Sequence, residues 1–451
     1  MKKALILTYW YPPKNVIGAV RLTKFAKFLP ESGWEPIVVT VNPLTDRYTR
    51  SGPLRDDLRI GVVYRVKDRS LNEIFYWLYS KIKLSGRALK KTESKSSKGS
   101  ARVLEENRLI KFYRQVICFP DESWLWLIFG TREVSRIIEK ERPDLIFSSS
   151  LPNTAHWMAS LMSRKYKIPW VADFRDLWTQ NPYLERVQFL KGLEERLERR
   201  VMSRASAMTT VSEGLQQELR SRYSQQVFVI PNGFDRDDLQ AGGVKNSALR
   251  ANTENPKFII TLTGTIYSEK SDPSALFEAL LLLLRERELS KSEIEVRFYG
   301  RKQEFVRSLI DGKFQELKEI VKLFGEVPRE QALEAQLQST ILLLLVWTDL
   351  RAQGVYTGKV FEYLAAEKPI LSIGPPGGVL ETLLARTKAG LQATESNKVA
   401  TILKHWLGEF RTYGKVPFEG DHAEIEKYSR RGQTKMLAEV FEYVLQDTKV
   451  K

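Results

Sequence analysis

The chain has 451 residues and a hydrophobic content of 43%, which allows about two domains with cores of their own. Its one cysteine, Cys118, excludes an intramolecular disulfide, and with three histidines it makes a zinc site an unfavourable interpretation. No apolar run approaches the roughly eighteen residues of a membrane-spanning helix, and we expect a cytoplasmic protein without a signal peptide. The formal net charge of +16 predicts an anionic partner, which is nucleic acid, anionic lipid or a phosphate-bearing substrate.

The chain begins with the pattern of a Rossmann-like unit. The apolar residues 4–8 predict a buried strand, and a proline-containing loop with Gly18 leads into a helix over about 19–29. Residues 37–41 predict a second strand, so the order is strand, glycine loop, helix and strand. Arg21 lies one turn into the helix, where it either faces a phosphate or is solvated.

Residues 66–130 do not have the pattern of a Rossmann core. The stretch 71–84 is aromatic and amphipathic, and residues 81–102 contain eight Lys or Arg against one Glu. Further aromatic side chains follow at Phe112, Tyr113, Phe119, Trp124, Trp126 and Phe129. Aromatic residues beside a basic run predict a surface on an anionic bilayer, and the alternative is a lid on the domain. We do not expect nucleic acid, because no recognition fold or stacking module is visible.

Three charged residues follow a predicted strand that starts at about Trp170. They are Asp173, Arg175 and Asp176. An Arg between two carboxylates can hold a phosphate or an acceptor, and a carboxylate at such a strand end can act as a base. The alternative is a local salt-bridge cluster. His156 lies at an earlier helix start, where it either reaches the site or serves as a capping or core histidine.

The second half of the chain repeats the alternation of strands and helices. Polar, turn-rich residues at 236–256 predict a linker, and the apolar run 258–263 starts a second sheet. Gly264, Thr265 and Lys270 follow that strand. Further strands are predicted at 294–299, 321–324 and 341–346, the first followed by Arg301 and the second by Val327, and a last helix is predicted from 429 to about 445.

The stretch 354–378 predicts a loop, a helix, a strand and a second loop. Thr357, Gly358 and Lys359 occupy the helix start, where free backbone amides favour an anion. Glu362 lies one turn further, close enough to reach a ligand hydroxyl. Residues 369–373 form an apolar run of the buried-strand type after Lys368. The alternative is an ordinary core helix with a solvated glutamate.

Six short segments, taken in chain order, resemble the retaining GT-B glycosyltransferases of family 4, particularly bacterial polysaccharide transferases. The segments are Tyr11-Pro12-Pro13 with Gly18, residues 148–178, Ala207 to Asp235, Gly264 to Lys270, Gly325 to Val327, and 354–378. The resemblance implies an α/β protein with two Rossmann-like domains that face each other across a cleft, and a final helix that crosses back to the first domain. The expected domains are an acceptor domain at 1–240, with the 66–130 insertion, a nucleotide-sugar domain at 241–428 and the final helix at 429–451.

The resemblance also implies roles for the donor site. Glu362 holds the ribose hydroxyls, Lys270 and the amides around Gly18 and Gly358 hold the diphosphate, and the backbone near Val327 lines the base pocket. Further candidates for donor binding are Gly264, Thr265, Thr357, Lys359, Arg301 and Arg21.

The sequence departs from the family pattern at three positions. Gly354 replaces the first glutamate of the donor motif, Ala19 replaces the second glycine of the first loop, and Thr265 replaces an arginine. Many relatives carry a histidine near position 173, so Asp173 and Asp176, with Arg175 between them, become the candidates for handling the acceptor proton.

The expected function is transfer of a sugar from a nucleotide-sugar to a glycan or lipid-linked acceptor, with retention of configuration. The implied setting is bacterial surface-polysaccharide synthesis, such as lipopolysaccharide or exopolysaccharide, on the inner face of the cell membrane. No metal or other cofactor is expected. The alternatives are a GT-B nucleotide-sugar epimerase or hydrolase, and a non-catalytic scaffold that binds nucleotide-sugar or membrane.

Overall fold

The computed structural model describes residues 1–14, 16–42, 61–67, 116, 118–181, 186–241, 257–347, 354 and 356–450. The chain divides into two compact units. The first consists of Met1–Val211, Leu215–Ile230 and Thr434–Lys451, and the second of Ser212–Gly214 and Pro231–Gln433. The predicted basic run at 81–102, together with Phe112 and Tyr113, lies outside the described residues.

The first unit contains a seven-stranded sheet. Its strands are β1 (Lys2–Leu7), β2 (Trp34–Asn42), β3 (Val62–Lys67), β4 (Leu145–Ser149), β5 (Trp170–Phe174), β6 (Ala207–Thr210) and β7 (Val227–Val229). They pair in parallel in the order β3-β2-β1-β4-β5-β6-β7. The central strands are almost wholly apolar because helices cover both faces of the sheet.

Helices pack on both faces of this sheet. They are α1 (Ile17–Phe28), α2 (Trp124–Glu141), α3 (Thr154–Tyr166), α4 (Gln188–Met202) and α5 (Glu213–Arg222). Apolar residues of α2, α3 and α4 pack on one face, while α1 packs on the other. A short 3-10 helix, Leu29–Ser32, continues α1 and ends at Gly33, whose φ of 80° favours glycine.

The region expected to be an insertion contributes to the core of the first unit. Trp126 on α2 is fully buried, and its ring centroid lies 6.0 Å from that of Tyr9. The prediction that placed Trp126 on a membrane-facing surface is therefore wrong. Phe129, one turn further along α2, is exposed as expected for a surface aromatic residue.

The second unit contains a six-stranded parallel sheet. Its strands are β8 (Phe258–Thr263), β9 (Ile294–Tyr299), β10 (Val321–Gly325), β11 (Ile341–Leu345), β12 (Ile370–Ile373) and β13 (Gly390–Ala393). They pair in the order β10-β9-β8-β11-β12-β13. The chain moves outward in one direction from β8 and in the other from β11, so the strand order reverses between these two. In such sheets ligands bind beyond the carboxyl ends of the strands at this reversal.

The described helices after Pro231 are α6 (Arg236–Ala241), α7 (Ser274–Arg285), α8 (Glu304–Asp311), α9 (Arg329–Leu337), α10 (Gly358–Ala366), α11 (Val379–Thr387), α12 (Ser396–Tyr413), α13 (His422–Glu426) and α14 (Arg430–Val450). One core of the second unit lies around α7 and α12, and another around α10 and α11. The final helix, α14, packs Leu437, Phe441 and Val444 with α1 against the first sheet. The return of the last helix to the first domain is therefore confirmed.

Candidate functional site

Two glycines shape the carboxyl edge of the second sheet. Gly264 follows β8 with a φ of 139°, and Gly300 follows β9 with a φ of 132°. A Cβ on Gly300 would lie 1.9 Å from the carbonyl oxygen of Gly264, so only glycine allows the two turns to approach. A Cβ on Gly264 would lie 3.4 Å from the Cε of Lys359, which places the lysine side chain directly beside this turn.

Glu362 lies next to this turn in a network of polar side chains. Lys359 Nζ donates to Glu362 Oε2 at 3.0 Å, and Gln336 Nε2 lies 3.4 Å from the same oxygen. Gln336 also donates to Thr263 Oγ1 at 2.9 Å, which connects the network to the end of β8. Burial by itself would raise the pKa of Glu362, but the positive charges of Lys359 and Arg329 and the hydrogen bonds bring the pKa below its usual value. Glu362 is therefore an ionised, half-exposed acceptor.

The helix start predicted at Thr357 is confirmed. Thr357 is the N-cap of α10, and its side chain accepts a hydrogen bond from the backbone N–H of Lys359. Gly358 is exposed, and a Cβ there would meet no atom within 4 Å. The first turn of α10 thus combines backbone donors, the helix dipole and the charge of Lys359, an arrangement that favours an anion.

Lys270 lies beside an aromatic pair that the sequence analysis did not identify. Its Nζ is 5.2 Å from the centroid of the Trp347 ring, and Trp347 packs edge to face with Tyr267 at 5.1 Å. Lys302 Nζ lies 5.7 Å from the Tyr267 ring. Trp347 follows β11 and Lys270 follows β8, so these residues flank the point where the strand order reverses. A tryptophan directly after an apolar strand is the signal that sequence reasoning missed.

Two other predicted donor residues lie one strand further out. Arg301 follows β9 and forms an exposed ion pair with Glu326 in the turn after β10. This interaction raises the pKa of Arg301 and lowers that of Glu326. Val327 is half-buried in the same turn, while Thr265 is half-buried next to Gly264. Of the predicted donor-site residues, the structure brings Gly264, Lys359 and Glu362 into one cluster. Arg301 does not join this cluster, because it pairs with Glu326.

In the first unit, Asp173 and Arg21 form a fully buried ion pair. Arg21 donates through Nη2 at 3.0 Å and Nε at 3.3 Å to the two carboxylate oxygens. Ser149 at 2.7 Å and Thr209 at 2.8 Å also donate to Asp173, and Arg21 donates to the carbonyl oxygen of Ile230 at 2.9 Å. Burial would raise the pKa of Asp173, yet Arg21 and the two hydroxyls hold it below its usual value. This geometry favours the salt-bridge alternative for Asp173 over a role as base.

Gly18 and Arg175 are in close contact. A Cβ on Gly18 would lie 2.2 Å from Nη1 of Arg175, so the glycine leaves the space that the guanidinium occupies. Arg175 donates through Nε to the carbonyl of Ser150 and through Nη2 to that of Leu151 at 3.1 Å. Burial lowers the pKa of Arg175, while Asp173 and Asp176 oppose this effect. The neighbour that fills the space beside Gly18 is thus an arginine from the predicted acceptor segment.

The segment after β5 is fixed by two buried glutamates that the sequence analysis did not single out. Trp178 Nε1 donates to Glu194 at 3.0 Å, and Thr179 donates to Glu198 through both its backbone and its hydroxyl. Both glutamates lie on the inner side of α4. Their spacing of four residues is the available signal, because it places both on one face of the helix. Asp176 itself is exposed at the start of this segment.

His156 is a core histidine. It is fully buried, its Nδ1 lies 2.8 Å from the hydroxyl of Ser148, and its ring contacts Phe174 at 4.9 Å. Burial lowers its pKa to about 3, an effect that Asp173 opposes and Arg175 reinforces. The imidazole is therefore neutral near pH 7, which supports the core alternative for His156.

No group of three or more His, Cys, Asp and Glu in the described part of the chain is arranged to hold a metal ion. Within the same residues, no helix combines the length and apolarity needed to cross a membrane.

Two Rossmann-like domains with the final helix on the first define the GT-B fold, and solved structures support this assignment. A glycosyltransferase from Rickettsia africae covers 98% of this chain and 98% of its own, with 14% identity and a TM-score of 0.57. HepE from Anabaena, solved with UDP and glucose, covers 98% of this chain and 100% of its own, with 14% identity and a TM-score of 0.56. A Listeria monocytogenes protein named as a UDP-N-acetylglucosamine 2-epimerase covers 99% of this chain and 98% of its own, with 12% identity and a TM-score of 0.53. At these identities the likeness establishes the fold alone.

Residues 96–238 match the family model described as Glycosyltransferase Family 4. The predicted resemblance to family 4 glycosyltransferases is thereby confirmed for this part of the chain. No curated protein matches the chain significantly.

Proposed function

We propose that this protein is a GT-B glycosyltransferase whose second unit binds a nucleotide-sugar donor. The observation that carries the proposal is the half-exposed Glu362, held by Lys359 at the start of α10 and beside the tight turn at Gly264. A carboxylate of this kind can accept hydrogen bonds from ribose hydroxyls, while the helix start and Lys359 attract a diphosphate. The match of residues 96–238 to the family 4 model supports the assignment.

Positive charge near the departing diphosphate gives the site its catalytic effect in this proposal. Lys359 and Lys270 lie on different elements, α10 and the segment after β8, that border the strand-order reversal. Charge develops on the diphosphate as the bond to the sugar breaks, so fixed cations stabilise the transition state more than the ground state. In this proposal Lys270 keeps the place of the family lysine, and Lys359 supplies the charge of the family arginine that Thr265 replaces.

In the first unit, we propose that Arg175 and Asp176 contact the acceptor. Asp176 is exposed, whereas Asp173 and Arg21 are buried against each other and position the strand end that carries both residues. The acceptor in this proposal is a glycan or lipid-linked sugar at an anionic membrane, and transfer occurs with retention, as in the bacterial polysaccharide transferases that the sequence resembles.

Turnover with purified donor and acceptor tests the proposal. Glu362→Ala and Lys270→Ala should each lower kcat/KM by a factor of about ten or more, on the order of 1.4 kcal/mol in the barrier. Glu319→Ala, at an exposed glutamate that pairs with Lys291 at 3.5 Å before the amino-terminal end of β10, provides a control outside the proposed site. Wild-type rates in both site variants would contradict the assigned roles.

The second candidate function is that of a nucleotide-sugar epimerase or hydrolase, because the Listeria protein named as an epimerase shares the fold. Such an enzyme needs no acceptor, so analysis of products formed from donor alone separates the two activities. A third outcome, donor binding with no product of any kind, would indicate a non-catalytic scaffold, the alternative that the departures from the family pattern at Ala19, Thr265 and Gly354 suggest.

A further inference from the structure

Large apolar side chains are exposed near the amino-terminal ends of α2 and α4. Phe189 is 78% exposed and Leu193 is 43% exposed, and they lie four residues apart on one face of α4. Ile128 is 58% exposed on α2, where Phe129 is also exposed. Leu161 on α3, which packs between these two helices, is exposed as well. We call the outer surface of α2, α3 and α4 the α2–α4 layer.

Basic residues cover the rest of this layer. The exposed ones are Arg132, Arg136 and Lys140 on α2, Arg164 and Lys165 on α3, and Lys191, Arg196, Arg199 and Arg200 on α4. Glu139 is the one exposed acidic residue in the described part of the three helices, and it accepts a hydrogen bond from Tyr166 at 2.7 Å. Glu133, Glu141 and Glu195 are half-buried, and Glu194 and Glu198 are buried. The exposed charges of the layer are therefore mostly positive, although the three helices together contain nine Lys or Arg against six Glu.

The excess of positive charge arises from how α4 packs. Glu194 and Glu198 are almost completely buried on its inner side. Glu194 accepts a hydrogen bond from Trp178 and pairs with Arg186 at 3.0 Å, so partners inside the domain compensate its negative charge. Because α4 turns these carboxylates inward and its cations outward, its exposed face is basic although its sequence is mixed.

We propose that the α2–α4 layer docks on an anionic lipid bilayer. Exposed Phe, Leu and Ile next to cations match a surface that inserts apolar side chains at the level of the headgroups while Lys and Arg contact lipid phosphates. A nucleic acid would use the cations, but aliphatic residues such as Ile128 and Leu193 offer its bases neither hydrogen bonds nor a stacking face. The lipid bilayer is the anionic partner that uses both features.

Docking in this way has a consequence for the first sheet. The amino-terminal ends of α2 and α4 lie toward the carboxyl edge of the strands, where Arg175 and Asp176 follow β5. The apolar end of the layer would bring this edge close to the bilayer. If the proposed function holds, the acceptor is then the headgroup sugar of a lipid carried in the same membrane. The docking itself does not depend on that function.

Co-sedimentation with vesicles tests the docking without any activity assay. The full-length protein should bind vesicles that contain phosphatidylglycerol and not vesicles of phosphatidylcholine alone, and binding should weaken as salt rises. Phe189→Ser with Leu193→Ser should weaken binding by about tenfold or more, because the inserted apolar area is lost. Lys191→Gln with Arg196→Gln should weaken it by about twenty-five-fold, at about fivefold per charge.

Matched double variants in the second unit provide the controls. Tyr413→Ser with Leu391→Ser removes two exposed apolar side chains, and Lys398→Gln with Lys415→Gln removes two exposed charges. Both controls should bind as the wild type does, and circular dichroism should show that all four variants fold. Failure of the wild-type protein to bind anionic vesicles would overturn the proposal. So would wild-type binding by the α4 variants, or an equal loss in the controls.

Discussion

Each unit contains a carboxylate–cation pair at the carboxyl edge of its sheet, and the two pairs differ in their access to water. The N–O distance is 3.0 Å both in Arg21–Asp173 and in Lys359–Glu362. The side chains of the first pair are 1% and 0% exposed, and those of the second are 37% and 28% exposed. The same chemistry at the same distance therefore serves two different purposes.

The difference shows that burial decides what such a pair can do. The protein itself satisfies Asp173 through Ser149 and Thr209 as well as Arg21, which leaves no place for a ligand atom. Glu362 retains exposed surface, so a ligand hydroxyl can replace water there at little cost. A buried pair is costly to break, whereas a half-exposed pair contributes little to stability and can be used for binding.

The largest expected effect comes from breaking the buried pair. Asp173→Asn leaves Arg21 as a buried charge without its partner, which should lower the free energy of unfolding by about 3–5 kcal/mol in urea denaturation at pH 7. The pKa of Asp173 is lowered in the folded protein, so its contribution is present above the unfolded pKa and is lost as the pH falls. The difference between wild type and variant should shrink below pH 4. A variant of unchanged stability but no activity would instead support Asp173 as the base.

A smaller effect is expected at Gly18. The Cβ of Gly18→Ala would lie 2.2 Å from Nη1 of Arg175, so the guanidinium must move away from the carbonyls that it binds. We expect a loss of about 1–3 kcal/mol in the free energy of unfolding. Gly192→Ala, where no atom lies within 4 Å of the new Cβ, is the control and should not destabilise the fold. Equal stability of Gly18→Ala and wild type would contradict the contact.

The pH dependence of the free energy of unfolding tests whether His156, which lies near the buried pair, is neutral in the folded protein. His156 is neutral in the folded protein with a pKa of about 3, while an unfolded histidine titrates near pH 6.5. The unfolded state therefore takes up the proton first as the pH falls. Between pH 7.5 and 5.5, the wild type should lose about 1.4 kcal/mol more stability than His156→Asn. Parallel curves would mean that the folded protein also protonates His156.

The smallest expected effect on stability is at the half-exposed pair. Glu362→Gln should change the free energy of unfolding by less than about 1 kcal/mol, because solvent screens the interaction with Lys359. Urea denaturation of Glu362→Gln and Asp173→Asn under the same conditions compares the contributions of the two pairs to stability directly. A loss as large as that of Asp173→Asn would show that both pairs are structural.

Much of the fold follows from local sequence patterns. The predicted strands at 258–263 and 294–299 are confirmed with the same bounds as β8 and β9. The first is a largely apolar run and the second alternates apolar with charged residues, and each ends at a glycine, Gly264 or Gly300. The helix start at Thr357 is confirmed for a similarly local reason, the cap that its side chain forms. These features depend on neighbours in the chain, which a single sequence displays.

The features that the sequence did not predict depend on contacts between distant residues. Asp173 and Arg21 are 152 positions apart, and nothing in either segment indicates that each satisfies the other. Trp126 belongs to an aromatic-rich region that suggested a surface, yet α2 turns its ring into the core. Trp347 contacts Lys270 because β8 and β11 are neighbours in the sheet, an order that the sequence does not reveal.

The most direct test measures donor-induced thermal shifts in the wild type, Asp173→Asn and Glu362→Gln, with UDP-, GDP-, ADP- and dTDP-sugars. A ligand that binds the folded state raises Tm by mass action. With the donor that stabilises the wild type, Asp173→Asn should start from a lower Tm and keep the full shift. Glu362→Gln should start from the wild-type Tm and lose most of the shift. The reverse pattern, or no shift of the wild type with any donor, would contradict the assignment of the second unit as the donor site.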